Sequence, residues 1–434
     1  MPKLLNYRKH HTSINSTTSL NPPSDIKIYP NFSIADAPYQ FLEAELQSAI
    51  FLPKTFGFGH DGKIPVLLIP GTGSMGGETF APNFAKLLSR STFADPCWLN
   101  IPGKMCVDAT KNAEFVAYAI NYLSSICDAK ISLVGWSQGT LSAQWALKYW
   151  PSTRTRVRNL VCLSGVFGGT VLAKFVAPRN ACGYAAPAIW QQRRGSKLTK
   201  HLKEYGGGSA YVPTTSVYSA KDEVVQPQSG ERASARLRDE RCVGVLNCEI
   251  QSVVGRKPAS LMYTHFSMLN PLAWALTEDA IIHGDCGSLD RIDMKRVCSH
   301  TKPAGLTVRD VAKTKALAAK CAKAIVTFEG KCKEEPALPE YCRDEADSGV
   351  VDEIWEDGGS CVELEDNTLR SELQLKADAL LVDIPSCVAV QETTPEVWGE
   401  DLVKDLVATQ KEVEQELEQE HEHEHEYNHN VDWL

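Results

Sequence analysis

The stretch KISLVGWSQGTLSAQW, residues 130–145, places Ser137 between Gly135 and Gly139 directly after a run of strand-forming residues. It fits G-x-S-x-G. A chain passing from a strand straight into a helix needs a sharp, strained elbow there, and small neighbours let the serine hydroxyl stand clear of the turn. The pattern alone is weak, because serine also caps helices and a helix would begin at residue 138. What separates a nucleophile from a cap is whether the chain also supplies an acid, a base and an oxyanion site.

Those partners come in the order an α/β hydrolase requires, acid and then histidine downstream of the serine. Asp222, in VYSAKDEVVQPQ, follows directly on a predicted strand, with Glu223 beside it as the alternative acid. His265, in LMYTHFSMLNP, falls in a loop between the predicted strand NCEIQSVVG and a helix opened by Asn270-Pro271. A serine hydroxyl needs a base at neutral pH, and the histidine needs a carboxylate to orient it. Other histidines read differently: His201 lies in the helix KHLKEY, His300 in a polar loop, and His283 at the end of PLAWALTEDAII as a charge partner. Charge developing on a substrate carbonyl needs two donors. One is the backbone N–H of Gln138, the residue after the serine. The other falls in GTGSMGG, the loop after the strand PVLLIP, with Thr72 the natural donor. That loop lacks the G-x-x-x-x-G-K-[ST] pattern of a phosphate cradle.

From about residue 64 to 255, short apolar runs alternate with helical patterns, which implies βαβ units. The expected fold is α/β, with a mostly parallel central sheet and helices on both faces. IPVLLIPGTG, KISLVGW, VRNLVCLSG, VPTTSVYSA and NCEIQSVVG read as strands. DATKNAEFVAYAINYLSSI (108–126) reads as a helix capped by Asp108, and GLTVRDVAKTKALAAKCAKAIVTF (305–328) as a single amphipathic helix. Residues 1–35 are polar and read as a poorly ordered arm; 36–345 form the expected catalytic domain; 346–434 form an acidic, largely disordered extension.

Charge separates the last two. The 434 residues carry a net −9, yet residues 346–434 hold 25 acidic residues against 4 basic, a balance of −21 that leaves +12 on the rest. The basic residues of the body form no run of 5–8, so no nucleic-acid partner is expected. In KEVEQELEQEHEHEHE, His421 and His425 would share a helix face, but the tract reads as solvated and no metal site is expected. No run of 18 apolar residues is present, so no transmembrane helix is expected.

The segments LLIPGTGSMGGETF, PCWLNIP, WSQGTLSAQWALKYWPSTRTRV, GTVLA, APAIWQQRRGSKLT, VPTTSVYSAKDEVVQPQ and KCKEEPALPEY resemble, in order and with similar spacing, the Candida antarctica lipase B family of fungal lipases. The resemblance runs from about residue 60 to about 345 and implies an α/β-hydrolase fold, serine esterase chemistry and no cofactor. It implies Ser137 as nucleophile, Asp222 as acid, His265 as base, Thr72 and Gln138 as oxyanion hole, and Trp136 lining the alcohol side of the pocket. It also implies a Cys248–Cys286 disulfide and one from Cys332 to Cys342 or Cys361. Three departures stand out: Val166 replaces the family's aspartate near the nucleophile, the loop before His265 differs, and Cys97 lacks the family's early partner.

The expected function is hydrolysis of carboxylic, acylglycerol-type esters through an acyl-enzyme, by a monomer that meets its substrate at a lipid–water interface. A transacylase using the same site and a non-catalytic binding protein are the alternatives. Secretion is the expected compartment, with the cytoplasm as the alternative. The resemblance, fourteen cysteines and the acceptor patterns at Asn15 and Asn31 favour secretion, whereas MPKLLNYRKHHTSINSTT lacks a signal peptide's apolar core and favours the cytoplasm.

Overall fold

A computed structural model describes residues 13–173, 183–260 and 265–342. Its strands are β1 (Ile50–Phe51), β2 (Ile64–Ile69), β3 (Ala94–Leu99), β4 (Ile131–Trp136), β5 (Val157–Leu163), β6 (Thr214–Tyr218) and β7 (Val245–Glu249). They form one sheet in the order β1-β3-β2-β4-β5-β6-β7. Only β1 runs antiparallel to its neighbour; the other pairs are parallel.

Strand residues point alternately to opposite faces, and a parallel sheet buries both. Accordingly Leu67, Ile69, Leu133, Leu160 and Cys162 enter one core while Val66, Leu68, Val134, Val161 and Leu163 enter another. The helices are α1 (Glu43–Ser48), α2 (Gly76–Phe80), α3 (Phe84–Arg90), α4 (Ala109–Cys127), α5 (Gln138–Tyr149) and α6 (Pro187–Gln191). They continue with α7 (Lys197–Glu204), α8 (Ile250–Val254), α9 (Pro271–His283), α10 (Met294–Cys298), α11 (Val308–Lys315) and α12 (Leu317–Thr327). Tyr118, Tyr122, Leu141 and Trp145 of α4 and α5 fill the first core. Phe84, Leu88, Leu272 and Leu276 of α3 and α9 fill the second. Asp108 caps α4 as its sequence position foretold, accepting the Thr110 N–H at 2.9 Å.

Register places the site. Ile69 pairs with Gly135, Trp136 with Leu163, and Leu163 with Val217. The loops that follow β2, β4, β5 and β6 therefore emerge along one edge, the carboxyl end where parallel sheets gather their reacting groups.

Four expectations change. The predicted strand NCEIQSVVG ends at Glu249, and residues 250–254 turn into α8, where Gln251 bonds to Ser219 and Ala220. The helix expected over 305–328 breaks at Ala316, with Asp310 of α11 paired to Lys86 and Leu317 buried at the start of α12. Residues 13–35 lie along the body instead of standing off it. Ile28 is buried, and the Asn21 amide donates at 2.8 Å to the carbonyls of Gln47, near the end of α1, and of Ile50 in β1. Cys248, Cys286 and Cys332 are free thiols, so neither the 248–286 nor the 332–342 disulfide forms; Cys97 is a buried free thiol. Cys242 is instead disulfide-bonded. The Cys332–Cys361 pairing and the acidic tail lie outside the described residues. Among those residues no helix is long and apolar enough to cross a membrane.

Candidate active site

Ser137 joins β4 to α5 with φ 52° and ψ −123°, a conformation L-residues other than glycine rarely adopt and one that costs of order 1–3 kcal/mol. Its neighbours allow it. A Cβ on Gly139 would lie 2.3 Å from the Ile69 carbonyl oxygen, and one on Gly135 would lie 2.9 Å from the Gly139 backbone. Strand β5 then fixes the elbow, the Ser137 N–H donating to the Leu163 carbonyl at 2.9 Å. A serine that merely capped α5 would sit in extended backbone with its side chain on a helix N–H. Ser137 makes no such bond.

Asp222 follows β6 and is almost fully buried. Its Oδ1 accepts the N–H groups of Val224 and Val225 at 2.8 Å each. The carboxylate meets His265 Nδ1 at 3.0 and 3.1 Å. The backbone of His265 is held as firmly as its ring. Its carbonyl accepts from Trp136 Nε1 and from the Ser164 hydroxyl, each at 2.9 Å. Its N–H donates to Glu223 Oε2 at 3.2 Å. Trp136 directly precedes the serine, so this indole ties the histidine loop to the elbow; the Trp136 and His265 rings lie 5.2 Å apart.

Glu223, weighed as the alternative acid, therefore contacts the histidine main chain while Asp222 takes the ring. Burial pushes the Glu223 carboxyl above its ordinary range. For His265, burial alone would pull the imidazole down, but the charge and hydrogen bond of Asp222, with the Glu223 charge, outweigh it. The net result is a pKa above the usual 6.5.

The glycine loop after β2 lies against the elbow. A Cβ on Gly71 would come 2.9 Å from the Trp136 ring and 3.0 Å from Ser137 Cβ. The Thr72 hydroxyl donates to Gln138 Oε1 at 2.7 Å and accepts from Gln192 Nε2 at 2.9 Å. Among the described residues no acceptor is placed against the backbone N–H of either Thr72 or Gln138. The residues that sequence reasoning singled out thus gather at one end of β2, β4 and β6. Gln192, Ser164 and the backbone-holding role of Glu223 had no sequence signal.

A parallel sheet with a strained serine elbow after its central strand and an Asp–His pair after later strands defines an α/β hydrolase. The crystal structure of Aspergillus fumigatus lipase B is similar to this chain at 43% identity and a TM-score of 0.73, covering 76% of this chain and 79% of that one. Lipase B of Pseudozyma antarctica is 42% identical over 165 residues, 38% of this chain and 47% of that relative. The match thus spans about half the length of that curated relative. No family model matches. The chain belongs to the lipase B family.

Proposed function

We propose that the chain is a serine hydrolase of carboxylic esters, with lipid esters as its substrate class. The observation that carries the reading is the strained backbone of Ser137 beside a buried Asp222–His265 pair. Ser137 Oγ attacks the ester carbonyl as His265 Nε2 takes its proton, while Asp222 on Nδ1 holds the tautomer and steadies the imidazolium. The tetrahedral oxygen settles against the N–H groups of Thr72 and Gln138. His265 then protonates the leaving alcohol, and water repeats the sequence on the acyl-enzyme. Trp136 would line the alcohol side. Val166, buried where the family carries an aspartate, makes the neighbouring wall apolar.

The Thr72 hydroxyl would add a third donor. Gln138 Nε2 has no partner among the described residues, while Oε1 takes the Thr72 proton. A half-turn of this amide would let Nε2 donate to Thr72 and release the hydroxyl proton to the oxyanion, since the two ends of a glutamine amide are assigned rather than seen. Thr72→Val keeps shape and backbone N–H. It should lower kcat about a hundredfold with KM little changed, the loss typical of one oxyanion donor. Steady-state kinetics on a soluble p-nitrophenyl ester measures this, and an unchanged kcat removes the hydroxyl from the mechanism.

The pH dependence follows from His265. A protonated imidazole cannot accept the serine proton, so kcat/KM falls about tenfold per unit once pH drops below its pKa. Because that pKa is raised, the acidic limb should bend above pH 6.5. A kcat/KM profile that stays flat from pH 7 to pH 5 excludes His265 as the base.

Labelling by a fluorophosphonate, followed by a chain-length series of p-nitrophenyl esters, tests the overall reading. No labelling leaves the binding-protein alternative. Transfer of the acyl group to an added alcohol in preference to water indicates a transacylase.

A further inference from the structure

The polar segment before residue 36 reaches the back of the glycine loop. Asn15 Oδ1 accepts the Glu78 N–H at 2.7 Å, at the opening of α2. The Ile14 carbonyl accepts from Trp98 Nε1 at 2.9 Å and from Asn100 Nδ2 at 3.0 Å. The other end of that amide, Asn100 Oδ1, takes the Gly77 N–H at 3.2 Å. Two of the N–H groups that α2 leaves without helical partners are thus satisfied, one by the segment itself and one by the amide that also binds it. The approach depends on glycine: a Cβ on Gly77 would lie 2.2 Å from the Ile14 carbonyl oxygen and 2.5 Å from Asn15 Oδ1.

From α2 the contacts continue into the oxyanion loop. Glu78 Oε1 accepts the Met75 N–H at 3.0 Å. The Thr79 hydroxyl meets that of Ser74 at 2.9 Å, and Ser74 donates in turn to the Gly71 carbonyl at 3.0 Å. Gly71 directly precedes Thr72. An oxyanion hole works only if its donors already point where charge will develop, and small displacements are expensive.

We propose that Asn15 is a positioning residue for the oxyanion loop: the N-terminal segment clamps α2 and so fixes the turn that carries Thr72. The proposal rests on the esterase reading for its kinetic consequence, whereas its structural consequence can be measured without any activity.

The test uses the full chain as wild type, Asn15→Ala, Asn15→Asp and Gly77→Ala, assayed at 25 °C after thermal melts establish that each is folded. Asn15→Ala and Gly77→Ala should lower kcat about tenfold on p-nitrophenyl butyrate with KM held within about twofold, as expected for displaced transition-state donors. Asn15→Asp, whose oxygen accepts the same bond, should recover at least about half of the wild-type kcat. Amide hydrogen exchange over residues 71–79 should quicken about tenfold in the two damaging variants and not in Asn15→Asp. Packing alone would lower the melting temperature without this split between kcat and KM. The two variants attack the contact from opposite sides, so a folding failure in one leaves the other decisive. Wild-type kcat together with wild-type exchange in Asn15→Ala or Gly77→Ala overturns the proposal. An inactive wild-type protein sinks the esterase reading instead, and the exchange comparison still decides the clamp.

Discussion

Ser137→Ala should abolish fluorophosphonate labelling and lower ester turnover about 10⁵- to 10⁶-fold, the scale seen when a triad nucleophile is removed. The fold should survive. Only one oxygen is lost, the residue is 6% exposed, and its backbone bonds to Leu163 and Thr140 do not involve the side chain. Alanine keeps a Cβ at the positive φ, so the strain stays while its purpose disappears. Stability should change by less than about 1 kcal/mol, as for substitutions that neither open a cavity nor orphan a buried group. Labelling stoichiometry, single-turnover kinetics and a thermal melt settle the three parts separately. A variant retaining even a tenth of wild-type activity would mean that some other group attacks the ester.

How much of this was legible differs from residue to residue. The serine elbow, the strand before it and the helix after it are local, since two glycines and a β-branched run carry the whole message. The Asp222 and His265 positions follow from chain order on a known topology. Gln192 could not be found in this way. It lies in WQQRRG with nothing to mark it, and its backbone is held beside Thr72 by contacts distant in sequence, among them the Thr170 N–H on the Gln192 carbonyl at 2.7 Å. The role of residues 13–21 was hidden for a related reason: main-chain carbonyls such as that of Ile14 do much of the binding, and a carbonyl has no residue type. A polar, proline-broken segment looks disordered by composition, yet it can dock when the body offers unpaired N–H groups. The break at Ala316 shows the converse. KTKALAAKC is mostly Ala, Leu and Lys, which are good helix formers, so local propensity favours continuation. Tertiary contacts decide otherwise, with α11 held to Lys86 and the Cys321 carbonyl of α12 packed so close to Gly73 that a Cβ there would stand 2.6 Å away.

Asp222→Asn separates orientation from mere occupancy of the acid position. Asparagine is isosteric, so its Oδ1 can still accept from the Val224 and Val225 N–H groups that bind the carboxylate, and the turn after β6 should persist. What faces His265 Nδ1 changes from an acceptor into an NH2 donor. Nδ1 must then give up its proton, the imidazole carries it on Nε2, and the nitrogen proposed to take the Ser137 proton can no longer act as a base. The expected loss in kcat is about 10⁴-fold with the fold intact. The pH profile should shift in a defined direction. In the native site the Asp222 charge and hydrogen bond hold the His265 pKa above 6.5 against the pull of burial. With both gone, burial dominates and the residual activity should persist to lower pH than in the wild type. Glu223 offers no rescue, because its carboxylate is engaged with the His265 main chain, 3.2 Å from the backbone nitrogen. The measurement is kcat/KM against pH for the variant beside the wild type. Full activity would move the acid to Glu223, and a large loss with an unshifted acidic limb would mean that Asp222 positions the ring without setting its charge.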